Sequence, residues 1–209
     1  MRNLKFIFIL FINTGLFIAC SNDDSNSTNN QDPEALNPLE AYQALNVSYG
    51  NDSGQKFDIY LPAGRTEMTK TIILVHGGGW TSGDKSDMNS FVTLLQNELP
   101  EYGIVNINYR LADEDNPPHP MQINDITTIV NQLKNDQDFY IMSDDFGFIG
   151  TSAGAHLSLL WSYAYDTSQD IEMVCSIVGP TNFTDPAYLN NVDPDLQELI
   201  DLFGIDATP

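Results

Sequence analysis

The stretch Phe146-Gly147-Phe148-Ile149-Gly150-Thr151-Ser152-Ala153-Gly154-Ala155-His156-Leu157 decides how the rest of the chain is read. Phe146–Ile149 is a short apolar run, as a strand in a covered sheet requires. Ala153–Tyr163 reads as a helix. Between them lies a glycine–x–serine–x–glycine turn. A sharp strand-to-helix turn forces the serine backbone into a strained conformation and presents its hydroxyl above the sheet. A glycine two residues on either side leaves room for the neighbouring chain. The helix N-terminus adds partial positive charge where an oxyanion would develop. Ser152 is therefore the candidate nucleophile; an ordinary serine in a glycine-flanked turn is the plain alternative.

Working outward, strand and helix patterns alternate. Val47–Tyr49 and Lys56–Leu61 read as strands around the turn Gly50-Asn51-Asp52-Ser53-Gly54. Thr71–His76 is a continuous apolar, β-branched run, and Ile104–Tyr109 and the apolar run Ile171–Val178 read as further strands. Helical spacing appears at Phe91, Leu94, Leu95 and Leu99 within Met88–Leu99. It recurs at Ile123, Ile126, Ile129, Val130 and Leu133, and at Leu196, Leu199, Ile200 and Phe203 within Asp195–Phe203. Ala112–Pro120, with three prolines and several acids, reads as a loop. Alternation of this kind predicts an α/β chain with a mostly parallel sheet and helices on both faces. Sites in such sheets gather at the carboxyl ends of the strands.

A second motif falls at such an end. His76-Gly77-Gly78-Gly79-Trp80 follows Thr71–Val75 directly. Three successive glycines let backbone N–H groups point into a pocket with no side chain in the way, and such donors stabilise the oxyanion of acyl transfer. A flexible linker is the alternative, but it leaves the flanking His and Trp unexplained. The order of the two motifs, with Asn108-Tyr109-Arg110-Leu111-Ala112, the Pro-rich lead-in Pro120–Asp125 and Thr151–Leu157, resembles the α/β-hydrolase family. The resemblance is to its esterases and lipases with a His-Gly-Gly-Gly oxyanion motif, and it covers about residues 45–209. It implies an α/β-hydrolase fold, Ser152 as nucleophile, and oxyanion donors from Gly78, Gly79 and Ala153. It implies a carboxylic-ester hydrolase acting through an acyl-enzyme on small or carbohydrate-linked esters, with no cofactor and no metal.

A serine needs a base. In the resembling fold the order is Ser, then Asp or Glu, then His. The three histidines are His76, His119 and His156, and none comes late enough. His76 is read as bracing the glycine loop, His119 as surface or pocket rim. His156, four residues past Ser152, is read as a packed structural histidine. Asp166, Asp170, Asp185, Asp193 and Asp201 follow the serine, but none is singled out as the acid. The expectation is a domain incomplete at its C-terminus, with the last two strands, the acid and the His lying beyond Pro209. Ile171–Val178 would then form an exposed apolar edge, and the chain would be poorly stable. Two other functions stay open: a non-catalytic binding protein on this fold that lacks the triad base, and a serine peptidase.

The N-terminal segment reads differently. Arg2 and Lys5 precede an interrupted apolar stretch too short to span a bilayer, so residues 1–19 are expected to be a signal peptide. Phe17-Ile18-Ala19-Cys20 resembles a bacterial lipobox, which implies lipidation at Cys20 and attachment to the outer membrane; cleavage without lipid is the alternative. Residues 20–40, rich in Ser, Asn, Asp and Pro, read as a disordered tether, and 41–209 as the domain. A calcium loop there would need an EF-hand spacing that is absent. Cys175, the other cysteine, is expected to be small, buried and unpaired. The chain has 209 residues, and 29 acidic against 8 basic residues give a net charge of −21. Phosphate backbones would repel such a surface, so nucleic acid is excluded as a partner.

Overall fold

The structure is a computed structural model, and it describes residues 35–203. Cys20, the leader, most of the tether and residues 204–209 lie outside the described residues, as do the side chains of Leu196, Leu199 and Ile200. Six strands form one sheet: β1 (Tyr42–Ser48), β2 (Lys56–Leu61), β3 (Thr71–Val75), β4 (Gly103–Ile107), β5 (Phe146–Thr151) and β6 (Ile171–Ile177), in the order β1-β2-β4-β3-β5-β6. β1 and β2 form an antiparallel hairpin and β2 pairs antiparallel with β4, while β4, β3, β5 and β6 run parallel.

The parallel strands are joined by crossovers through α1 (Asn89–Glu98), α2 (Pro118–Asn135) with the short α3 (Gln137–Tyr140), and α4 (Ala153–Ala164). Every residue of β3 and β4 is buried, which explains their near-continuous apolar runs: both faces are covered. On one face, Val92 and Leu95 of α1 pack with Ile72, Leu74, Met88 and Ile104. On the other, the Ile123, Ile126, Ile129, Val130 and Leu133 stripe of α2 packs with α4 against Ile73, Val105 and Phe148. Burying a side chain of this size is worth about 1.5–3 kcal/mol. Two short helices, α5 (Pro186–Leu189) and α6 (Pro194–Leu202), follow β6. Among the described residues no helix is long and apolar enough to cross a membrane.

From β3 the chain steps outward to β4, then returns to the other side of β3 as β5. The reversal leaves a crevice at the carboxyl ends of β3 and β5, where ligands of open α/β sheets bind. The glycine run follows one of those strands and Ser152 the other.

Several expectations need correction. β1 begins five residues before Val47, with a bulge between Ala44 and Val47. The helix expected from Met88 starts at Asn89, after a 3-10 turn over Lys85–Met88, and its Leu94 is 52% exposed. The loop Ala112–Pro120 overlaps α2, which begins at Pro118; extended backbone at His119 breaks its first turn. Cys175 is exposed, not buried. β6 lies at the border of the described sheet, so its outer side meets no further strand among the described residues. The two later strands implied by the resemblance have no counterpart among the described residues.

Candidate active site

Ser152 is the hinge between β5 and α4, with φ 50° and ψ −115°. This is the left-handed side of conformational space, sparsely populated by a residue with a Cβ and costing about 1–3 kcal/mol. The surroundings enforce it. A Cβ at Gly150 would lie 2.5 Å from the Gly154 carbonyl oxygen, and one at Gly154 would lie 2.3 Å from the carbonyl oxygens of both Val75 and His76. The start of α4 therefore presses directly on the end of β3, a separation only glycine permits. The Ser152 amide donates to the Ile177 carbonyl at 2.8 Å, and the Ser152 carbonyl accepts from the His156 amide at 3.1 Å. Further along α4, the Trp161 indole donates to Thr127 of α2 at 2.9 Å. The Ala153 amide is the first of α4, and the first amides of a helix have no partner within it.

The glycine loop lies against this elbow: a Cβ at Gly77 would be 3.2 Å from the Ser152 Cβ. Two peptide planes there have their carbonyls tied down. The Gly77 carbonyl accepts from His76 Nδ1 at 2.6 Å, and the Tyr109 hydroxyl holds the preceding carbonyl, donating to His76 at 2.8 Å with Gly77 a longer second acceptor at 3.4 Å. The Gly78 carbonyl accepts from the amides of Thr81 at 3.2 Å and Ser82 at 2.9 Å, and from the Ser82 hydroxyl at 2.8 Å. In a trans peptide the N–H points opposite to the C=O of the same plane. Fixing the Gly77 carbonyl therefore aims the Gly78 amide, and fixing the Gly78 carbonyl aims the Gly79 amide. Neither amide has an acceptor among the described residues. Gly78 (φ 112°), Gly79 (φ 57°) and Trp80 (φ 65°) all hold positive φ, which gives the loop its sharp curl.

His76 is fully buried, stacked on the Tyr109 ring with centroids 4.3 Å apart. Burial lowers its pKa, against the opposing contact with the Gly77 carbonyl. A carbonyl only accepts, so the neutral ring donates from Nδ1 and leaves Nε2 unprotonated; that atom is buried without a partner. His156 packs edge-on against Trp80 (5.5 Å) and Phe183 (5.1 Å), and Phe203 sits 4.5 Å from Trp80. Burial, and secondarily the charge of His119, push the His156 pKa down to about 4. His119 is exposed and pairs with the Tyr165 hydroxyl at 2.9 Å. No histidine side chain among the described residues bonds to the Ser152 hydroxyl. Three of the acids after it are engaged elsewhere: Asp166 accepts from the amides of Asp170 and Ile171, Asp170 pairs with Lys134, and Asp185 caps α5.

The structure thus sets the loop of Gly78 and Gly79, through Gly77, against the elbow of Ser152 and Ala153. Tyr109, and the aromatic wall of Trp80, His156, Phe183 and Phe203, were not foreseen as parts of the site. Tyr109 carried a signal, since it stands at the end of the strand next to the glycine run. Phe183 carried none, because long-range ring contacts leave no local pattern. Among the described residues no group of three or more His, Cys, Asp or Glu is placed to hold a metal ion.

Comparison with known proteins agrees with this architecture. The kynurenine formamidase of Danio rerio is 27% identical over 143 residues, covering 65% of this chain and 45% of that protein. Esterase B from Lactobacillus rhamnosis superposes with a TM-score of 0.61 at 21% identity, covering 83% of this chain and 60% of that one. A bifunctional GH43-CE protein of Bacteroides eggerthii superposes with a TM-score of 0.58 at 22% identity, over 68% of this chain and 21% of that one. This chain spans less than half the length of the curated relative. The structural likenesses, at such identities, speak for the fold, which is that of the α/β-hydrolases. Residues 57–206 match the BD-FAE family, well over half of the sequence, and the chain belongs to that family.

Proposed function

We propose that the whole protein is a serine carboxylic-ester hydrolase. The observation that carries this reading is a strained Ser152 set beside two unpaired amides whose peptide planes are locked. In the proposed reaction Ser152 Oγ attacks the ester carbonyl carbon, and its proton passes to a base. The carbonyl oxygen becomes the oxyanion, held by the amides of Gly78, Gly79 and Ala153. Collapse expels the alcohol with that proton, and water then releases the acyl group from Ser152 by the same route. The base we assign to a His, steadied by an acid, outside the described residues, since none of the His76, His119 and His156 side chains bonds to the Ser152 hydroxyl. Small or carbohydrate-linked esters fit best; the Bacteroides protein with a combined GH43-CE description supports the carbohydrate side. The leader and Cys20 are read as anchoring this domain to the outer membrane through lipid.

The complete protein should hydrolyse p-nitrophenyl acetate, and Ser152→Ala should reduce kcat by at least about a thousandfold. The absence of a described histidine on Ser152 favours one competitor, a binding protein without turnover. Equal rates for wild type and Ser152→Ala would establish it.

A further inference from the structure

The geometry points to Lys85, clamped by Asp58, as the positioning residue of the loop that carries the Gly78 and Gly79 amides. This rests on the esterase reading of that loop. The return limb of the loop folds back on its beginning: a Cβ at Gly83 would lie 2.5 Å from the Gly77 carbonyl oxygen and 2.7 Å from His76 Nδ1. Two residues later the chain is fastened to the sheet. Lys85 Nζ reaches Asp58 Oδ2 of β2 at 2.8 Å, with side-chain exposures of only 11% and 8%. The second carboxylate oxygen of Asp58 accepts from the Asn46 amide at 2.7 Å. The Lys85 backbone is gripped on both sides. Its amide donates to Asn108 Oδ1 at 2.5 Å, and its carbonyl accepts from Asn106 Nδ2 at 2.7 Å. Asn106 stands directly across from Asp58 in the β2–β4 register. Asn108 Nδ2 in turn holds Asp84 at 2.7 Å.

Stability alone does not account for the pair. Removing two charges from water costs about as much as their attraction returns, and replacing such a pair by apolar groups is often neutral or stabilising. What an apolar pair lacks is a defined distance and direction. The ion pair sets where Lys85 sits along β2, and through Gly83 it sets the height of the Gly77 and Gly78 carbonyls. Those carbonyls aim the two amides. A slip of about 1 Å in such donors costs on the order of a hundredfold in rate.

The test compares the complete wild-type protein with Lys85→Arg, Lys85→Met and the double variant Asp58→Leu/Lys85→Met. Urea midpoints, kcat and KM on p-nitrophenyl acetate, and amide hydrogen exchange across residues 76–84 are read for each. The expected result is a double variant with a wild-type midpoint, kcat lowered about 10- to 100-fold, KM little changed, and faster exchange at Thr81 and Ser82, whose amides donate to the Gly78 carbonyl. Lys85→Arg should recover most of the rate. A double variant with wild-type kcat and exchange overturns the inference. So does one that fails to fold, because the pair would then be a stability element. If the wild type itself hydrolyses no ester, the esterase reading fails, and the exchange rates at Thr81 and Ser82 still decide the role of Lys85.

Discussion

At the scale of single residues, what could be read from the sequence was whatever local sterics dictate. Gly150, Gly154 and the run Gly77–Gly79 stand where a Cβ would strike backbone or where φ is positive, and such demands leave glycines at fixed offsets. What could not be read was partnership. Nothing near Lys85 in the sequence names Asp58, and nothing near Trp80 names Phe203. His156 shows the same limit: its offset from Ser152 suggested packing, but not the depth of its burial. That burial has a measurable consequence. The ring's pKa falls to about 4 from an ordinary 6.5, so between these values the unfolded chain holds a proton that the native chain refuses. Stability from this residue is complete above pH 6.5, declines as the pH falls, and levels off below about 4. His156→Phe should make the fall of the urea midpoint from pH 7 to pH 4 shallower. Parallel curves for the two proteins would show that His156 is not the residue responsible.

At the scale of elements, the buried strands were legible and the half-exposed ones less so. β3 and β4 are covered on both faces, and their apolar runs have clear limits. β1 alternates between partly covered and exposed positions and is interrupted by Asn46 at φ 57°, so only its last residues stood out. β6 reads in sequence like an interior strand, yet Glu172, Met173, Cys175 and Ser176 are all exposed. A pattern of apolar residues reports what a strand is able to bury, not which neighbour is present to bury it. Cys175 is the probe for this point. In the 209-residue chain with Cys20 replaced by Ala, a maleimide should label Cys175 within minutes without denaturant, at a rate close to that of a free thiol. Labelling that requires urea would place the thiol under cover and contradict the exposed face of β6.

At the scale of the molecule, the charge of −21 sets how a membrane-bound form would behave. An acidic domain is repelled by anionic headgroups, within a screening length of about 8 Å at physiological salt. A lipid on Cys20 would therefore have to do the holding alone. In a bacterial host, most of the full chain should sediment with membranes, and Cys20→Ala should move it to the soluble fraction. A variant that still sediments would show another anchor. The hydrogen bond from the Ser152 amide to the Ile177 carbonyl bears on the birth of the protein as well. Residue 177 leaves the ribosome 25 residues after the serine, roughly one to five seconds later at ordinary speeds of synthesis. Until then the elbow lacks one of its fastenings. The newborn chain carries its reactive group for that interval in an unfinished form, and β6, translated later, completes it.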